Sequence, residues 1–185
     1  HQVQLTDAPD NSENYPKFSP DGSKILYKRC GDYDESDLWV INADGTNAHA
    51  VVTNIGPKHF DWSPDGNWIV YQMNDDASGD NSQDVYKVRL DGTGDTRLTP
   101  SDDYCEGTPS WFQAGARDVI LYTTNEYGTY NGIGLYEPYR SMWVMHPDGS
   151  DKTLVHPLGN NKNYDFSSNG EWIVFQSCWV SDTGN

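Results

Sequence analysis

Short apolar runs alternate with turn residues along the whole chain, and they come in two recurring kinds. The first kind is Ile25-Leu26-Tyr27, Trp68-Ile69-Val70-Tyr71, Val119-Ile120-Leu121-Tyr122 and Trp172-Ile173-Val174-Phe175. Consecutive apolar residues in a strand lie on both of its faces, which a free-standing hairpin does not tolerate. These runs are therefore expected to be sandwiched between neighbouring layers. Each follows an aromatic-led turn: Phe18-Ser-Pro-Asp-Gly22, Trp62-Ser-Pro-Asp-Gly66, Trp111-Phe-Gln-Ala-Gly115 and Phe166-Ser-Ser-Asn-Gly170. The second kind of run ends in an Asp-Gly turn: Leu38 to Ile41 before Asp44-Gly45, Val85 to Leu90 before Asp91-Gly92, and Met142 to Met145 before Asp148-Gly149.

The turn chemistry fits hairpins. Asp-Gly and Asn-Gly supply the positive φ of a tight connection, and Pro fixes φ at the second position of a turn. The leading aromatic recurs at 18, 62, 111 and 166, spacings of 44, 49 and 55 residues. A period of that length with two turns per unit predicts a four-stranded antiparallel blade, and hence an all-β propeller without a long helix. A simple meander is the alternative. The predicted organisation is one domain over residues 1–185, with blades at about 15–53, 59–99, 108–155 and 163–185 and an N-terminal strand at 2–6. That strand either closes a four-bladed ring onto the last blade or belongs to part of a larger propeller. Phe18, Trp62, Trp111 and Phe166 are expected at equivalent sites on the innermost strands.

The run "FSPDGSKILY … DLWVINADGTNAHAVV … FDWSPDGNWIVY" resembles the TolB-type, WD-repeat-like β-propeller repeat. The third unit departs from it with Gln113-Ala114-Gly115, and the fourth with Ser168-Asn169, although each keeps a turn. The resemblance implies a propeller, a binding role, and a periplasmic or extracellular location. It leaves the ligand open, because propellers host binding and catalysis alike. The alternative it permits is the propeller of a carbohydrate-active enzyme such as a polysaccharide lyase. Peptidase-type relatives add a hydrolase half, but the chain has no GxSxG elbow.

Composition narrows the partners. With 12 basic against 28 acidic residues the net charge is −16, which argues against nucleic acid. Cations, cationic proteins and neutral glycans remain. No stretch approaches the roughly 18 consecutive apolar residues of a membrane span, and no signal-peptide pattern opens the chain. Cys30 and Cys178 share a repeat position, each 12 residues after its leading aromatic, and would lie on adjacent blades of a closed four-bladed ring. Cys105 makes the count odd.

In a propeller the connections alternate between two ends. The Ser-Pro-Asp-Gly and Asp-Gly turns share one end, and the longer loops share the other. Those loops, at about 7–14, 31–37, 54–59, 74–84, 99–108, 125–140, 156–163 and 177–185, carry −14 of the −16. Long loops on a rigid scaffold are the usual seat of function. Asn74 to Asp84 offers Asp75, Asp76, Asp80 and Asp84 with amides and Gly79, a hard-oxygen set suited to calcium rather than zinc. A merely solvated acidic loop is the competing reading. Tyr33, Tyr104, Tyr127, Tyr130, Tyr136 and Tyr139 are the candidate contacts to a protein or a glycan, since Tyr pairs an apolar ring with a polar tip. Self-assembly through open terminal strands is a further expectation. His59 and His156 fall near the axis but show no metal-ligand spacing, so catalysis has little support.

Overall fold

The computed structural model describes residues 3–7, 11–31, 36–53, 56, 59–75, 82–99, 105–126, 129–130, 133–134, 139–159, 162–167 and 170–176. Among them there is no helix. The first blade is β1 (Ser12–Phe18), β2 (Lys24–Cys30), β3 (Ser36–Asn42) and β4 (His49–Val52), hydrogen-bonded in that order. The second is β5 (Phe60–Trp62), β6 (Trp68–Asp75), β7 (Ser82–Arg89) and β8 (Thr96–Arg97). The third joins β9 (Cys105–Ala114) and β10 (Arg117–Glu126) to β13 (Tyr139–Met145) and β14 (Thr153–Gly159). A small separate hairpin, β11 (Thr129–Tyr130) and β12 (Ile133–Gly134), is inserted before β13. The fourth unit contributes β15 (Lys162–Phe166) and β16 (Ile173–Gln176). Every pairing is antiparallel.

The expected burial of the strands on both faces is visible in the two cores. Leu26, Leu38, Val40 and Val51 of the first blade pack against Phe60, Trp62, Ile69, Tyr71 and Val88 of the second. Val70, Val85 and Leu98 then pack on Trp111, Ile120, Tyr122 and Met145 of the third. Ile69 and Val70 are neighbours in β6 that point into different cores, so a blade with both faces apolar is stable only between two others. Polar links cross the same junctions. The indole of Trp62 donates to the Lys17 carbonyl at 3.1 Å, and Lys87 donates to the Pro147 carbonyl at 2.7 Å.

The repeated turns owe their shape to local hydrogen bonds. In the Asp-Gly turns, Asp44, Asp91 and Asp148 accept both the N–H and the hydroxyl of Thr46, Thr93 and Ser150, with the hydroxyl bond at 2.6 Å each time. Asp21 does the same for Ser23 and also accepts the Ser19 hydroxyl at 2.6 Å. Asp65 likewise accepts the Asn67 N–H at 3.0 Å and the Ser63 hydroxyl at 2.6 Å, so five acidic residues serve the turns of the scaffold.

Two expectations change. Residues 3–7 form no strand, because a strand exists only against a partner and none faces them among the described residues. The four leading aromatics do lie on the innermost strands, but Trp111 stands one residue off in hairpin register. Phe18 pairs with Ile25, Trp62 with Ile69 and Phe166 with Ile173, whereas in the third blade it is Phe112 that pairs with Val119. In the other three units a serine follows the aromatic, and its hydroxyl accepts the N–H five residues on (Lys24 to Ser19, Trp68 to Ser63, Trp172 to Ser167, each at 2.9 Å). The third unit has Phe112 there, so β9 and β10 extend to a turn at Gly115 (φ 62°). Trp111 keeps the packing role of Trp62, and Phe112 turns to the fourth unit, stacked on Phe166 with ring centroids 3.5 Å apart.

Candidate functional site

The connections β2–β3, β6–β7 and β10–β13 emerge at the same end of the stack as β4–β5, β8–β9 and β14–β15, as antiparallel blades require. That is the end where the sequence concentrates negative charge. Beneath these loops lies a layer of buried polar side chains. Gln72 of β6 donates to Gln83 of β7, and its carbonyl accepts the Thr108 N–H of β9 at 3.1 Å. The Thr108 and Thr123 hydroxyls meet at 2.8 Å, and Thr123 also reaches the Gly107 carbonyl at 3.2 Å. Gly107 is required here: a Cβ on it would stand 2.8 Å from the Gln72 amide oxygen. The layer therefore ties the second blade to the third just under the loops, and gives the loop bases fixed positions.

Asp84 belongs to this floor. Expected among the cation ligands, it is fully buried (0%) and paired with Arg97 at 2.7 Å, while Thr99 donates to it at 3.2 Å. A buried carboxylate needs such a partner, since an uncompensated one is strongly destabilising. Asp75 ends β6, whereas Asp76 and Asp80 lie outside the described residues. Among the described residues no three His, Cys, Asp or Glu side chains gather as a metal site. Of the candidate tyrosines, Tyr130 lies in β11 opposite Ile133, and Tyr139 opens β13 opposite Glu126. Tyr33, Tyr104, Tyr127 and Tyr136 lie outside the described residues. Tyr122, just beneath, has its phenol pushed up by burial and by the Glu106 charge. Cys30 is a free, half-buried thiol that receives the Asn14 amide at 3.7 Å, and Cys178 lies outside the described residues.

The opposite end holds a feature that sequence reasoning missed. A cavity of about 560 Å³ opens among the aromatic-led turns, lined by Phe18, Trp62, Trp111, Phe112, Pro64 and Asp61 among others. Asp61 links three innermost strands: Lys17 approaches it at 3.1 Å, the Ser110 hydroxyl donates at 2.6 Å and the Trp111 N–H at 3.3 Å. Lys17, Asp61 and Ser110 each precede the leading aromatic of their repeat. That shared position was the available signal, and it places an axial polar ring where an acidic-loop search does not look. His49, at the outer edge, bridges the Asn47 and Leu90 carbonyls at 3.0 and 3.1 Å.

Among solved structures the chain is similar to a protein described as TolB from Agrobacterium tumefaciens, with 18% identity and a TM-score of 0.67. TolB from Acinetobacter baumannii superposes equally well, with 14% identity and a TM-score of 0.67. The fold is a TolB-type β-propeller. The propeller covers 95% and 93% of this chain in those comparisons, and the chain spans 61% and 39% of the two TolB structures. An oligogalacturonate lyase in complex with manganese shares the same architecture, with 10% identity, a TM-score of 0.72, and coverage of 95% of this chain and 50% of that one. No family model and no curated protein matches the sequence. No helix among the described residues is long and apolar enough to cross a membrane.

Proposed function

We propose that this propeller is a non-catalytic, extracellular or periplasmic binding module that engages a cationic protein surface at its acidic, Tyr-rich loop end. The supporting observation is the pairing of charge with rigidity. Between the strand ends, the connections at this end hold Asp32, Asp34, Glu35, Asp76, Asp80, Asp102, Asp103 and Glu137 against the single cation Lys58. Below them Gln72 is hydrogen-bonded to Gln83 and Thr108, Thr108 to Thr123, and Arg97 to Asp84, each across strands. Clustered charge on a fixed scaffold steers and orients an oppositely charged partner, and tyrosines supply contact area at low entropic cost. The turn-end acids are by contrast engaged with their own backbone.

The test is calorimetric titration with a lysine-rich peptide at two salt concentrations. Binding that weakens with salt, and that is lost when Asp32, Asp34 and Glu35 become amides, is the expected result. Salt-insensitive binding to neutral oligosaccharides would replace the protein ligand with a glycan. The same reading places a divalent cation, calcium by its hard oxygen donors, on Asp75, Asp76 and Asp80, where three carboxylates in one short loop repel one another. Asp84, already paired with Arg97, is left out of that set.

A further inference from the structure

The third strand of each blade places one residue directly across from Leu26, Val70 and Leu121. In β3 and β13 that residue is a valine, and Val40 is 1% exposed in the core between the first two blades. In β7 it is Lys87, half-buried where the second blade meets the third. A half-buried cation in place of a core valine forfeits apolar burial and loses hydration, so the packing of the repeat does not account for it.

Lys87 lines a cavity of about 500 Å³ with Arg117, Asp118, His146, Pro147 and Asp148, at the end of the stack opposite the acidic loops. Its ammonium is fixed in the wall. It donates to the Pro147 carbonyl at 2.7 Å and stands 5.0 Å from the centre of the Trp68 ring, with the Arg89 guanidinium over the same ring at 4.6 Å. An ammonium carries more donors than this one bond uses, so some remain for a ligand. The Arg117 guanidinium makes no hydrogen bond or ion pair among the described residues, and neither does the Asp118 carboxylate. Asp148 is by contrast engaged by the N–H and hydroxyl of Ser150, and the His146 ring is held by Asp151 at 3.4 Å.

We propose that this cavity binds the phosphate monoester of a polyol. Lys87 meets the phosphate as a point charge and Arg117 as a planar fork, and a phosphate ester carries close to the double charge that two cations balance. A carboxylate would leave one of them uncompensated. Asp118 repels a bare anion but accepts hydrogen bonds from hydroxyl groups, so a ligand that carries both groups suits the mixed charge of the cavity. The volume is adequate, since small-molecule pockets begin at about 300 Å³.

Titration with glycerol phosphate, inorganic phosphate and glycerol, followed by backbone amide shifts, tests the site. Saturable shifts at Arg117, Asp118 and His146 are expected, with glycerol phosphate binding more tightly than inorganic phosphate and glycerol not binding. Lys87→Val installs the residue that β3 and β13 carry, and Arg117→Gln alters an exposed side chain, so both variants should keep the native circular dichroism spectrum. Each should weaken both phosphates by about tenfold, the worth of one hydrogen bond to a charged group. Asp118→Ala should tighten inorganic phosphate and erase the advantage of the ester. Shifts that sodium chloride reproduces at matched ionic strength overturn the proposal, as does binding that survives Lys87→Val unchanged. Equal affinity of the native protein for the two phosphates overturns it as well.

Discussion

Replacing Arg97 by Ala removes the charge that faces Asp84. The carboxylate is fully buried, held by the guanidinium at 2.7 Å, and left after the change with the Thr99 hydroxyl at 3.2 Å among its known contacts. Breaking a buried pair from one side costs about 3–5 kcal/mol, because the remaining ion stays in a medium of low polarity. Arg97 itself is 27% exposed, so water reaching the vacated space moderates the loss, and the lower end of that range is expected. With a urea slope of about 2 kcal/mol per molar, the unfolding midpoint should fall by about 1.5 M. Tryptophan fluorescence follows the transition directly, since Trp62, Trp68 and Trp111 line the two cores. The double change Arg97→Met with Asp84→Asn should recover most of the loss, as exchanging both charges for neutral groups is often close to neutral. A single Arg97→Ala variant that unfolds within about 0.3 M of the native midpoint would refute the floor's role in fixing the loop bases.

Four further outcomes follow from the same contacts. Gly107→Ala should cost about 1–3 kcal/mol in denaturant unfolding, since its Cβ displaces the Gln72 amide from the Thr108 N–H. Trp62→Ala should cost about 3–5 kcal/mol by the same measurement, by opening a cavity between the first two blades and removing the indole bond to Lys17. Hydrogen bonds from Ser19 and Ser23 hold the Asp21 carboxyl down to about 2 from 3.8, so its stabilisation is complete above about pH 4 and lost as pH falls through about 2. The stability gap between native protein and Asp21→Asn should therefore narrow across that window, and a gap as large at pH 2 as at pH 4 would contradict it. Calcium at micromolar to millimolar levels should raise the melting temperature saturably, with Asp80→Asn weakening the response and Asp84→Asn leaving it intact. Sodium chloride producing the same rise at matched ionic strength would remove the cation site.

The blades were legible because each repeat states its turns in Gly, Pro and Asp and its strands in paired apolar residues. Register in the third blade was not, since Phe112 replaces the serine whose hydroxyl closes the other turns, which lengthens the hairpin and shifts which aromatic faces which neighbour. The role of Asp84 was hidden for a related reason. In the sequence it ends an acidic run, but in β7 it lies opposite Met73 and beside Arg97, a residue 13 positions away. Asp61 escaped notice because its three partners come from different repeats, up to 50 residues distant. Local chemistry marks turns and strands, whereas charge pairing across blades depends on the packed arrangement.

The claim that binding belongs to the loop end is tested most directly by mapping a lysine-rich peptide onto the backbone amides by nuclear magnetic resonance. The account predicts salt-dependent shifts at residues flanking the loops, such as Ser36, Gln72, Thr99 and Thr108, with Gly22, Gly66 and Gly115 unmoved. Shifts centred instead on Asp61 and the aromatic turns around the 560 Å³ cavity would contradict it.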